Sequence, residues 1–131
     1  MKQKILVVDD DPNITIAVAA RLEASHYDVL TASNGFEAIK MALRDPPDLI
    51  LLDMWMPIGI GLSVAERLKE LALDIPVVFL TACKKAELRA ATRAVGAAGF
   101  VEKPYDPEML LETIEQALSR HAELSEHTSS I

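Results

Sequence analysis

Asp9-Asp10-Asp11, Asp53, Thr81 and Lys103-Pro104 stand at or just after the ends of short apolar runs. Carboxylates at 9, 10 and 53 gathered in one place would repel one another unless a cation came between them. Oxygen ligands with no neighbouring His or Cys suit a hard ion. Magnesium, which keeps waters and accepts phosphate oxygens, fits that set better than zinc. Lys103 would add a point charge for a phosphoryl oxygen, and the Thr81 hydroxyl a donor to another. The natural acceptor is then a carboxylate, as in enzymes that form aspartyl-phosphates. The chain has no glycine-rich lysine loop of the nucleotide-binding type, so the group is expected from a phosphorylated partner or a small donor.

Taken alone, an acidic triplet is a solvated turn, and a single lysine is a surface residue. The convergence of Asp53, Thr81 and Lys103 on comparable positions favours the chemical reading here. Asp11 is expected to cap a helix rather than bind metal. Gly59-Ile60-Gly61 follows Pro57 instead of opening a first strand-to-helix turn, and Val64 stands where a third glycine would be, so it reads as a loop and not a dinucleotide fingerprint. A haloacid-type phosphatase would need an Asp at position 55, which is Trp. A flavin carrier would need a hydroxyl-rich loop where this one is acidic.

The elements that must position these residues follow from periodicity. Strand-length apolar runs fall at Ile5 to Val8, Val29 to Ala32, Leu49 to Leu52, Val77 to Leu80 and Phe100 to Val101. Asp11-Pro12 reads as an N-cap with Pro at the first helical position, after which Ile14, Val18 and Leu22 share a face. A second helix after Asn34-Gly35 carries Ala38, Ile39, Ala42 and Leu43 and stops before Pro46-Pro47. A third carries Leu62, Ala65 and Leu68. A fourth covers 86–95 and ends at Gly96, and a fifth starts near Pro107 with Leu110, Ile114 and Leu118 on one side. Five alternations of buried strand and helix predict parallel strands with right-handed crossovers, hence a doubly wound α/β domain. In such a sheet ligands bind at the carboxyl ends of the strands, where the chemistry-bearing residues stand.

With 131 residues the chain suits one compact core. Its net charge of −7 argues against direct nucleic-acid binding by this chain, which needs clustered Lys and Arg. The apolar stretch in MKQKILVVDD is too short for a signal peptide or a membrane span, and the single Cys83 agrees with a reducing compartment, so a cytoplasmic location is expected.

With these residues placed, the chain resembles the receiver domains of two-component response regulators from about Lys4 to about Leu118. The resemblance rests on Ile5-Leu-Val-Val-Asp-Asp10, Asp53-Met-Trp-Met-Pro57, Thr81-Ala82, Gly96-Ala-Ala-Gly-Phe100 and Lys103-Pro104. It implies a flavodoxin-like five-stranded sheet of order 2-1-3-4-5 with five helices, and a receiver domain over 1–121. From Ser119 onward the apolar pattern lapses, so frayed helix followed by a flexible tail or linker start over 122–131 is expected. It implies Asp53 as phosphoacceptor, and Asp9, Asp10, Asp53 and the Trp55 backbone carbonyl as the magnesium site. Lys103 would pair with the phosphoryl group, while Thr81 and Phe100 would form a switch pair. For Phe100 the plainer alternative is a core aromatic. The donor would be a histidine kinase or phosphotransfer protein, and the chain would catalyse only its own phosphorylation and dephosphorylation. Residues two after the acceptor and two after the switch Thr tune hydrolysis in the family. Here they are Trp55 and Cys83, which orient water poorly and predict a long-lived phosphoryl group.

Lys85, Arg89 and Arg93 recur every fourth residue, and Glu108, Glu112 and Glu115 form an acidic stripe on the last helix. These are two solvated faces or, in the sharper reading, a partner face that closes a phosphorylation-dependent homodimer.

Overall fold

The structure describes residues 2–53, 61–71, 73–81, 93 and 96–129. In this computed structural model, β1 (Lys4–Val8), β2 (Asp28–Ala32), β3 (Leu49–Asp53), β4 (Val77–Thr81) and β5 (Gly99–Glu102) form one parallel sheet in the order β2-β1-β3-β4-β5, as the resemblance implies. Helices α1 (Pro12–Ala24), α2 (Gly35–Arg44), α3 (Gly61–Glu70) and α4 (Pro107–Ser129) connect and follow the strands. The helix expected over 86–95 lies outside the described residues except for Arg93, which is helical.

The alternation of strand side chains splits the core into two layers. Leu6, Val8, Ile50, Leu52 and Phe79 pack with Ala38 and Ala42 of α2 and Val64, Ala65 and Leu68 of α3. On the other face Ile5, Val7, Leu49, Leu51, Val78 and Leu80 pack with Val18 and Leu22 of α1 and with Leu110, Ile114 and Leu118 of α4. Strands covered on both faces explain the near-continuous apolar runs in the sequence.

Local signals fix the helix ends nearest the carboxyl edge of the sheet. Asp11 has extended backbone and accepts a hydrogen bond from the Asn13 N–H at 2.9 Å, with Pro12 in the first helical turn. Asn34 caps α2 by accepting from the Glu37 N–H at 2.8 Å. A side chain at Gly35 would collide with Val64, so α2 and α3 approach closely there. Gly96 has φ 77°, the left-handed conformation glycine adopts at helix ends.

At the other end of the chain, α4 runs through Ser129, so residues 122–129, expected as a tail or linker start, are helical. No Gly or Pro follows Pro107, and Ala122, Glu123 and Leu124 are good helix formers, so nothing local stops the helix where its buried stripe ends.

Candidate metal and phosphoryl site

Strand register creates the site. Val8 pairs with Leu52 across β1 and β3, so the residues that follow, Asp9 and Asp53, are neighbours across parallel strands about 4.8 Å apart. Thr81 pairs with Glu102 across β4 and β5, which brings Lys103 to the same edge. The peptide between Lys103 and Pro104 is cis.

Asp9 and Asp53 are only 2% and 5% exposed, whereas Asp10 is open to solvent. One carboxylate oxygen from each of the three lies within 4.8 Å of the others. Asp9 Oδ1 accepts from the Asp11 N–H at 3.0 Å, and the Asp9 N–H donates to the Ala32 carbonyl at 3.2 Å. Lys103 Nζ stands 3.2 Å from Asp9 Oδ2 and 3.5 Å from Asp53 Oδ1, with its side chain 20% exposed. The site therefore combines three converging carboxylates with one mostly buried ammonium. An all-oxygen donor set of this kind suits a hard divalent cation, and the exposed Asp10 leaves room for the waters that magnesium retains.

Sequence reasoning placed Asp9, Asp10, Asp53 and Lys103 at one edge, and the structure brings these four together. Thr81 ends β4 at the same edge. Trp55, Cys83, Lys85 and Arg89 lie outside the described residues. Phe100 sits on β5 opposite Phe79 and packs, half-buried, against the layer covered by α2 and α3. The expectation for Lys103 was contact with a phosphoryl oxygen. Its pairing with Asp9 was missed, because no spacing rule ties positions 94 residues apart.

Of the residues expected at the partner face, Arg93, Glu108, Glu112 and Glu115 are exposed, while Lys85 and Arg89 lie outside the described residues. A groove of about 660 Å³ runs between β5 and α4 and is lined by Arg93, Gly99, Phe100, Glu102, Met109 and Thr113, among others. Glu108, Glu112 and Glu115 are exposed on a different stripe of α4 from Met109 and Thr113. Glu115 instead lies near Tyr27, whose hydroxyl pKa is raised first by burial and then by that negative charge.

Fold and site together define a parallel α/β domain that gathers acids and a lysine at the carboxyl edge of its sheet. Residues 5–115 match the response regulator receiver domain, and the chain belongs to that family, whose general role is to accept a phosphoryl group in two-component signalling. Among its relatives, the alkaline phosphatase synthesis transcriptional regulatory protein PhoP of Bacillus subtilis is 36% identical over the whole chain, covering 54% of that protein. The phosphate regulon transcriptional regulatory protein PhoB of Pseudomonas aeruginosa is 37% identical over 88% of the chain and 52% of its own length. The chain thus spans about half the length of these relatives. The chemotaxis protein CheY4 of Vibrio cholerae superposes with a TM-score of 0.85 at 32% identity, covering 89% of this chain and 99% of that one. NtrX of Brucella abortus reaches 0.92 at 28% identity, covering all of this chain and 30% of its own.

Proposed function

We propose that Asp53 is the phosphoacceptor, taking a phosphoryl group from a phosphohistidine of a kinase or phosphotransfer protein, or from a small acyl phosphate. The observation that carries this reading is the placement of Lys103 Nζ within 3.5 Å of Asp53, beside Asp9, on a buried edge. An Asp53 oxygen forms the new bond to phosphorus as the bond to the donor's nitrogen or oxygen breaks, and that electron pair leaves with the donor. Asp9, Asp10, Asp53 and the Trp55 carbonyl would hold Mg²⁺, whose charge offsets that of the incoming phosphoryl group. Lys103 orients a phosphoryl oxygen, and burial of Asp9 and Asp53 strengthens each of these charge contacts.

Thr81 and Phe100 are the proposed switch pair. The hydroxyl engages the phosphoryl group, and the ring moves between the half-buried position beside Phe79 and one further in. The groove that Phe100 helps line is the surface such a motion would remodel, with Arg93 at its rim. A partner or a second copy reads that change, and in regulators such as PhoP and PhoB the output is transcriptional by their names. Trp55 and Cys83, two positions after the acceptor and after the switch Thr in the sequence, would slow hydrolysis, and the setting is cytoplasmic, where such donors act. No helix among the described residues is long and apolar enough to cross a membrane.

The test is mass spectrometry after incubation with acetyl phosphate and Mg²⁺. The wild-type chain gains one phosphoryl group and the Asp53→Asn chain gains none. An adduct that survives the substitution refutes the assignment.

A further inference from the structure

We infer that the outer face of α2 docks an acidic amphipathic helix of a partner protein, a contact separate from both the phosphoryl site and the groove beside α4. The inner face of α2 buries Ala38 and Ala42, and Gly35 meets Val64 of α3. Phe36 and Leu43 lie on the solvent side, 73% and 54% exposed. They are seven residues apart, which is two turns and about 10 Å along one face. The remaining exposed large apolar side chains among the described residues stand singly, Ile16 on α1 and Met109 and Leu124 about four turns apart on α4. Among the described residues, only α2 offers two such anchors at the spacing a docked helix presents at its own i and i+7 positions.

The charges beside these anchors choose the partner. Lys40 lies between them, with Nζ 5.7 Å from the centre of the Phe36 ring, within cation–π range. Arg44 follows one turn on, and both cations are exposed. The one acid of α2, Glu37, already accepts a hydrogen bond from the Ser33 hydroxyl at 3.2 Å. A helix laid over Phe36 and Leu43 would strip water from Lys40, and a carboxylate on that helix would restore what the ammonium loses. A basic or neutral helix would leave it uncompensated. A second copy of this chain is the poorer occupant, because two chains of net charge −7 repel one another. α2 covers the sheet face opposite α1 and α4, so this surface stays open when those helices are engaged. Its first turn follows Ser33, which lines a cavity of about 300 Å³ together with Asp9, Asp10 and Glu37. The end of a docked helix therefore stands beside the acidic pocket without taking part in it.

The experiment is fluorescence anisotropy with two labelled synthetic peptides of about 18 residues, alike in Leu at helical i, i+4 and i+7 spacing but carrying either Glu or Lys at every flanking position. The unphosphorylated chain is titrated as wild type, Phe36→Ala and Lys40→Glu, with Ile16→Ala and Arg21→Glu on α1 as controls. All four altered side chains are exposed, so each variant is expected to fold. Wild type should bind the Glu peptide at least about tenfold more tightly than the Lys peptide. Phe36→Ala and Lys40→Glu should each weaken the Glu peptide by at least about tenfold, and the controls should stay within about threefold. The inference is wrong if the Glu peptide fails to saturate, binds no better than the Lys peptide, or binds unchanged to either α2 variant. A wild-type dimer in sedimentation that Lys40→Glu abolishes would overturn it as well, by assigning the face to a second copy. Phosphoryl uptake from acetyl phosphate should be the same in every variant, so loss of peptide binding and loss of the phosphoacceptor reading are told apart.

Discussion

At the amino edge of the sheet, Lys4 Nζ lies 2.6 Å from Asp45, while the Lys4 N–H donates to Asp48 at 2.7 Å. At the carboxyl edge, Lys103 Nζ lies 3.2 and 3.5 Å from Asp9 and Asp53. By distance alone the first pair is the stronger. Surroundings reverse that order. The Asp45 side chain is 55% exposed, so water screens its charge and supplies alternative partners. Asp9 and Asp53 have little water to turn to, so a change in cation at their edge is felt nearly in full. The same pair of residue types therefore pins a loop at one edge and controls a charged pocket at the other. Burial, rather than contact length, separates the two roles.

Three measurements would break or sharpen this contrast. The largest effect is expected for Asp9→Asn, which removes a buried ligand charge and should weaken Mg²⁺ binding by about a hundredfold, near 2.7 kcal/mol, in a calorimetric titration with MgCl₂. Retention of near-wild-type affinity would mean that the buried acids are not the ligands. Lys4→Met comes next. Urea denaturation should show a loss of no more than about 1 kcal/mol, shrinking in high salt, with Mg²⁺ affinity unchanged. A loss of several kcal/mol would show that the exposed pair has been undervalued.

The smallest effect concerns Tyr27, at the start of β2 on the amino edge. Its folded pKa is raised, by burial first and Glu115 second. Its contribution to stability is therefore complete below the unfolded value near 10 and is lost as pH climbs through the higher folded value. Thermal melts above pH 10 should fall less steeply for Tyr27→Phe than for wild type. Equal slopes would show that Tyr27 does not govern the alkaline limb.

Much of the fold was legible because the signals were local and repeated. The apolar run at 49–52, the Asp11-Pro12 and Asn34-Gly35 starts and the Pro46-Pro47 stop each act within a few residues. Parallel topology followed from alternation, and topology told which strand ends to inspect. Asp9, Asp10, Asp53 and Lys103 were legible for that reason. The contact between Lys103 and Asp9 was not, since it depends on β5 and β1 arriving at a common edge through β3 and β4. The direction of Glu115 toward Tyr27 was equally hidden. Residues 108, 112 and 115 plainly form a stripe, but the orientation of α4 depends on how Leu110 and Ile114 seat in the layer beneath. How far α4 continues beyond Ser119 was only partly legible, because loss of an apolar stripe signals loss of burial, which is a different matter from loss of helix.

That last helix has a mechanical side. Leu118 is the last buried residue of α4 among the described residues, and the helix continues to Ser129, a projection of about 16 Å. A rod of that reach magnifies small rotations at its base: a tilt of roughly 10° about Leu118 would carry the tip nearly 3 Å, on the order of one side-chain contact. Asp74 lies 3.6 Å from His121, close to the base of that projection, but the Asp74 side chain is 86% exposed, so this contact leaves the rod nearly free to swing.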